Sequence, residues 1–116
     1  MRHRVAVVFT ALAALSCSHD KRTVLTVYSP HGPELLTYLE QGFEKAHPDV
    51  DVQWVDMGSQ EVLDRVRAEA ANPQADVWFG APAEAGDRGA KENLREKYVL
   101  TWSNSVSVEG RDDQDL

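Results

Sequence analysis

The chain has 116 residues, enough for one domain with its own core and too few for two ordinary ones. Hydrophobic residues at 42% and charged residues at 27% are ordinary for a globular chain and exclude a disordered or membrane-embedded one. A net charge of −7, with no cluster of Lys or Arg to offset it, excludes a phosphate backbone, so no nucleic-acid partner is expected.

In chain order, "MRHR" is basic, "VAVVFTALAAL" is apolar and "SCS" follows. That order is the pattern of a secretory signal, too short with these flanks to be an ordinary spanning helix, so residues 1–16 are expected to be a signal peptide on an exported protein. Leu15-Ser16-Cys17 resembles a bacterial lipobox, with Leu15 one place off the usual pattern. On that reading Cys17 is lipidated and residues 17–22 are an anchor and polar tether to the membrane; the other reading is an incidental cysteine in an ordinary cleaved signal. A lone cysteine forms no intrachain disulfide, so the fold does not depend on oxidation.

The domain is expected to begin near Thr23. "TVLTVYS" carries the β-branched and aromatic residues of a buried strand, and "PHG" hands it to a helix whose first turn accepts Pro33, because the missing N–H is not needed there. Leu35, Leu39, Phe43 and Ala46 recur at helical spacing and predict the buried face of that helix, which His47-Pro48 ends. "VDVQWVDM", residues 50–57, alternates Val50, Val52 and Trp54 and predicts a second strand closed by Gly58. Ser59 is the expected N-cap of a second helix, with Val62, Val66 and Ala70 as its apolar face, an intrahelical Glu61–Arg65 pair, and "NPQ" as its end. "ADVWFGAP", residues 75–82, predicts a third strand. Gly86 and Gly89 follow in a segment where each costs a helix interior about 1 kcal/mol relative to Ala.

The order βαβαβ implies an α/β fold with an open parallel sheet, because a crossover helix returns the chain to begin the next strand in the same direction. All strand C-termini then share one edge, where such sheets bind ligands. Three loops meet there: Ser29-Pro30-His31-Gly32, Gly58-Ser59 and Gly80-Ala81-Pro82. The first two lead into helix N-termini, whose unpaired N–H groups suit an anion or a polar ligand. His31 is either a ligand for metal or anion or an exposed turn histidine. Trp54 and Trp78 are expected in the core rather than in an aromatic cage, and Asp56 either faces the cleft or is solvated at a strand end. No nucleotide-binding glycine fingerprint, phosphate loop, zinc-protease helix or hydrolase elbow is present, so binding is a better class than catalysis.

"LTVYSPHG", "FEKAHPDVDVQWVDMGSQEVLDRVRAEAANPQADVWFGAP" and the lipobox-like start together resemble the N-terminal portion of bacterial extracellular solute-binding proteins of ABC importers, on the branch with ferric-iron, thiamine, polyamine and phosphonate binders. The resemblance covers about residues 23–102. It implies the first lobe of a type II periplasmic-binding fold, a small-molecule or metal-ion solute gripped between two lobes, delivery to a transporter permease, and a periplasmic or cell-surface location. By that resemblance Ser29, His31, Gly58, Ser59, Gly80 and Ala81 map to ligand-contacting loops, His31 matches a first-loop histidine that ligates metal in iron binders, and ferric iron is a candidate cargo; no resident cofactor is implied. Such proteins run to several hundred residues, so the chain is expected to be truncated, with residues 103–116 a poorly ordered acidic tail. Two other classes stay open. A stand-alone α/β enzyme would lose activity with His31, and an interaction module with an exposed sheet edge would dimerise with concentration.

Overall fold

The computed structural model describes residues 21–107. The expected signal peptide, Cys17 and the end of the expected acidic tail lie outside the described residues. Seven elements follow in order: β1 (Thr23–Ser29), α1 (Pro33–Ala46), β2 (Val50–Asp56), α2 (Ser59–Ala68), β3 (Val77–Trp78), α3 (Ala83–Lys91) and a short 3₁₀ turn at Ser103–Ser105. The sheet order is β2-β1-β3 with both pairings parallel, the α/β architecture expected from the alternation. No helix among the described residues is long and apolar enough to cross a membrane.

The register sorts the strands into two faces, because successive side chains point to opposite sides. Leu25 pairs with Val52, Val27 lies between Trp54 and Val77, and Ser29 pairs with Asp56, so these residues share one face, with α1 over it. Tyr28 lies between Val55 and Trp78 on the other, which α2 and α3 cover. Val62 and Leu63 of α2 are wholly buried there, and Tyr28 is 1% exposed. Its hydroxyl donates to Glu69 at 2.9 Å while the Arg65 guanidinium lies 4.8 Å over its ring.

Several local expectations are corrected. The buried residue of α1 is Leu36; Leu35 and Phe43 are 42% and 41% exposed and Ala46 is exposed, because the sheet beneath this helix is only partly covered. Ser59 is the first residue of α2, not its cap: Gly58 holds that place and no side chain caps the turn. Arg65 pairs forward with Glu69 at 2.9 Å rather than back with Glu61, since Tyr28 and Glu69 together hold the guanidinium. The helix stops at Ala68, short of Asn72-Pro73-Gln74, as tighter turn bonds from Ala70 to Arg67 and from Asn72 to Glu69 take over, leaving Ala70 exposed.

β3 is two residues long, where a longer strand was expected. Asp76 and Phe79 extend its hold through backbone bonds to the Thr26 and Tyr28 carbonyls, both 2.9 Å, before Gly80 at φ +79° turns the chain away. Gly89 has a packing reason to be glycine: a Cβ there would stand 3.3 Å from the Trp78 ring. Arg67 then fastens α2 to the end of α3 through a forked pair with Glu92, 2.6 and 2.8 Å.

Candidate functional site

Parallel pairing carries the ends of all three strands to one edge, and there the loops interlock. Ser29 closes β1 with its side chain wholly buried, and its hydroxyl lies 3.1 Å from Nδ1 of His31. Because that nitrogen is engaged, Nε2 is the imidazole atom left to meet a ligand, whichever tautomer is present. The ring is walled by Phe79, with centroids 5.3 Å apart, and by the backbone of Gly80. A Cβ at Gly80 would fall inside the imidazole, and the positive φ already disfavours any other residue, so glycine here is what makes room for the histidine. Gly80 is fixed in turn by Trp78, whose Nε1 donates to its carbonyl at 3.2 Å.

The second loop joins through the backbone. Met57 N–H donates to the Ser29 carbonyl at 3.1 Å, and the Asp56 carboxylate accepts from Gly32 N–H at 3.4 Å. Thus His31 touches both Ser29 and Gly80, while Gly58 and Ser59 begin α2 one step further along the same edge. Ala81 follows Gly80, exposed on the rim. Two residues of the site were not among those the loops nominated. Phe79 was hidden as one more apolar strand residue, and Asp56 read more readily as a solvated strand end than as facing the cleft; its position two residues before Gly58 was the available signal.

The edge expected to suit an anion or a polar ligand is rich in carboxylates. Asp56 sits at the head of α1, and the first turns of the three α-helices carry Glu34, Glu61 and Glu84. Carboxylates in a first turn offset the partial positive charge of helix N-termini. Among the described residues no group of three or more His, Cys, Asp or Glu could hold a metal ion. This wall therefore offers at most a partial ligand set, His31 with Asp56 nearby.

The charged groups with the clearest shifts lie elsewhere. The Arg65 hydrogen bond holds the Glu69 carboxyl below its ordinary range, with Tyr28 adding to the effect. Burial first, then the Glu69 carboxylate, pushes the Tyr28 phenol up. Arg67 holds Glu92 low in the same way. These groups brace the face opposite His31.

No family model matches the chain. A probable ABC transporter periplasmic-binding protein, y4fP, of Sinorhizobium fredii is 33% identical over 113 residues, covering 97% of this chain and 28% of that protein. The chain is a homologue of ABC-transporter periplasmic-binding proteins. An uncharacterized protein of Haemophilus influenzae is 32% identical over 90 residues, 74% of this chain and 26% of its own length. Among solved structures, the periplasmic binding protein P5PA superposes with a TM-score of 0.71 at 28% identity, over 76% of this chain and 28% of that one. A Trichodesmium protein, IdiA or FutA, in complex with iron and citrate ligands, superposes at 0.72 over 80% of this chain and 29% of that one; at 19% identity it speaks for the fold alone. The chain thus spans a little over a quarter of the length of the curated relatives it matches.

Proposed function

We propose that these residues form one wall of a solute-binding cleft serving an ABC importer, with the solute held at the C-terminal ends of the strands. The observation that carries this reading is the placement of His31, gripped by Ser29 on one side and seated against Gly80 on the other, at the edge where open parallel sheets take ligands. Ser29 orients the ring, Nε2 meets the solute, and the backbone groups of Gly58, Ser59, Gly80 and Ala81 supply polar contacts around it. Asp56 and the first-turn acids favour a cationic or metal-ion solute, ferric iron among them, over a free anion. The role is binding and delivery to a permease, not catalysis. The basic, apolar and Ser16-Cys17 order at the start supports export to the periplasm with a lipid anchor at Cys17, and mass analysis of the expressed protein should find that residue lipidated at the mature N-terminus; a soluble product cleaved elsewhere and unchanged by Cys17→Ser would refute the anchor.

One wall binds weakly, because a cleft gains affinity by enclosing its ligand and excluding competing water. Millimolar affinity, worth about 4 kcal/mol, is the expected ceiling. Trp54 and Trp78 report on the site, the first with its ring 6.0 Å from that of Phe79 and the second bonded to Gly80. Titration with ferric iron, putrescine, thiamine, phosphate and a phosphonate should quench tryptophan fluorescence in the millimolar range, most for the cations, and His31→Ala should weaken the response. Micromolar binding lost in His31→Ala would make the chain a complete receptor and overturn the one-wall reading. No saturable response to any of the five would overturn the site itself.

A further inference from the structure

The sheet has a second edge, opposite the candidate site, where parallel strands begin and the helices between them end. The chain enters β1 at that edge, with the Thr23 N–H bonded to the Asp49 carbonyl at 2.8 Å. After α3 it comes back there: Leu94, Arg95 and Glu96 share a cavity of about 260 Å³ with Ala70 and Pro73, at the turn that leads from α2 to β3. Two residues further on, outside any helix or strand, a loop puts large apolar side chains into water. Tyr98 is 70% exposed, Val99 60%, Trp102 57% and Leu100 38%. Its backbone is held in turns, because the Ser103 N–H donates to the Leu100 carbonyl at 3.1 Å and the Ser105 N–H to that of Trp102 at 2.9 Å.

Charge divides between the two edges as well. Each α-helix has an acid in its first turn, at the edge of the candidate site, and a base in its last: Lys45 in α1, Arg65 and Arg67 in α2, Arg88 and Lys91 in α3. That division by itself serves the helix dipoles. From Arg88 to Trp102, however, the chain also carries Arg95 and Lys97, so this stretch holds four bases against two acids, Glu92 and Glu96, in a protein whose net charge is −7.

We propose that the loop Tyr98–Trp102 is a contact for the surface of an anionic phospholipid bilayer. Tyr and Trp suit the boundary between headgroups and acyl chains, since each pairs an apolar ring with a polar O–H or N–H. Val99 and Leu100 enter that boundary between them, and the bases on the same stretch meet the lipid phosphates, with their methylene stems lying along apolar surface. Placement in the fold favours a bilayer over a protein partner. Cys17 stands six residues before Thr23, a reach of about 20 Å of extended chain, so a lipid on that cysteine and this loop meet one surface from the same edge. The His31 edge then faces away from the bilayer. The loop's contact goes beyond the solute reading and does not need the cysteine to be lipidated.

The test uses the 116-residue chain with Cys17→Ser, which carries no lipid of its own. It is mixed with bicelles of phosphatidylcholine and phosphatidylglycerol, with and without a nitroxide-labelled lipid, and its amide resonances are followed. The nitroxide should broaden the amides of Tyr98, Val99, Leu100 and Trp102 and leave those of Ser29, His31 and Gly80 sharp. Val99→Asp and Trp102→Ala alter exposed side chains, so both should fold, and each should weaken the broadening of the loop and raise the lipid concentration it needs about tenfold. Bicelles of phosphatidylcholine alone should broaden it less. A loop that stays sharp, that broadens equally without phosphatidylglycerol, or that is unaffected by both variants overturns the proposal. So do concentration-dependent shifts at these amides without lipid, which assign the loop to a second copy of the chain. The response of His31 to solutes should be the same in Val99→Asp, so either reading can fail while the other stands.

Discussion

The two faces of the sheet are built from equally apolar strands and end in different conditions. Against α2 and α3, Tyr28, Val62 and Leu63 are buried to 1% or less, and the polar groups among them are matched: the Tyr28 hydroxyl by Glu69, Glu69 by Arg65. Against α1, Val27 and Leu36 are buried, but Phe43, Val77 and Phe79 keep about two-fifths of their surface, and the Trp54 indole N–H is buried without a partner among the described residues. A face closed by its own helices behaves as a core. The half-open face carries the proposed site at its upper edge and an apolar groove below, and Phe79 belongs to both, touching His31 and Trp54 on one side and flooring the groove on the other.

The comparison breaks most visibly under truncation. Leu63→Ala removes a fully buried side chain from the closed face and should cost about 2–5 kcal/mol. Phe43→Ala on the open face should cost only about 1 kcal/mol in urea unfolding, since much of that ring is already in water. Equal losses would mean that the faces are equally packed. Next in size, Gly80→Ala forces a Cβ into the His31 ring at a positive φ, for about 1–3 kcal/mol, and should shift the His31 ring resonances while leaving those of Tyr28 in place. Unmoved His31 resonances would show that the loop gives way and that the histidine is not seated there. Tyr28→Phe deletes one hydrogen bond on the closed face and should cost about 1 kcal/mol, with no effect on solute titration.

The smallest effect is a pH dependence. Glu69 has a lowered folded-state pKa, so its contribution to stability is present above the ordinary Glu value of 4.5 and is lost as the pH falls through the folded value. Wild type should therefore exceed Glu69→Gln in stability at neutral pH, and the gap should close below that range. A gap that widened in acid would reverse the assigned direction.

Much of this arrangement was legible in the residues. Alternating strand and helix patterns gave the parallel order, and glycine at the end of each predicted strand marked the loops that line the edge. Long-range choices were hidden. Glu61 and Glu69 are equally placed to pair with Arg65 along a helix, and only Tyr28, 37 positions earlier in the chain and packed beneath the guanidinium, decides for Glu69. The face of α1 failed for a related reason: periodicity says which residues could be buried, but burial needs a partner surface, and Leu39 and Phe43 look into a groove that the described residues leave open. Asp56 and Phe79 acquire their roles from register, which places them beside Ser29 and His31, and register is a property of the assembled sheet.

Amide and imidazole chemical shifts during titration test the central claim most directly. With gallium(III) as a diamagnetic stand-in for ferric iron, and with putrescine and thiamine alongside, at least one solute should move the amides of Ser29, His31, Gly32, Gly58, Ser59, Gly80 and Ala81 together with the His31 ring, while the α2 and α3 residues around Tyr28 stay still. Shifts confined to the groove residues Leu39, Phe43 and Val77, or scattered over both faces with His31 unmoved, would contradict a solute wall at the strand ends.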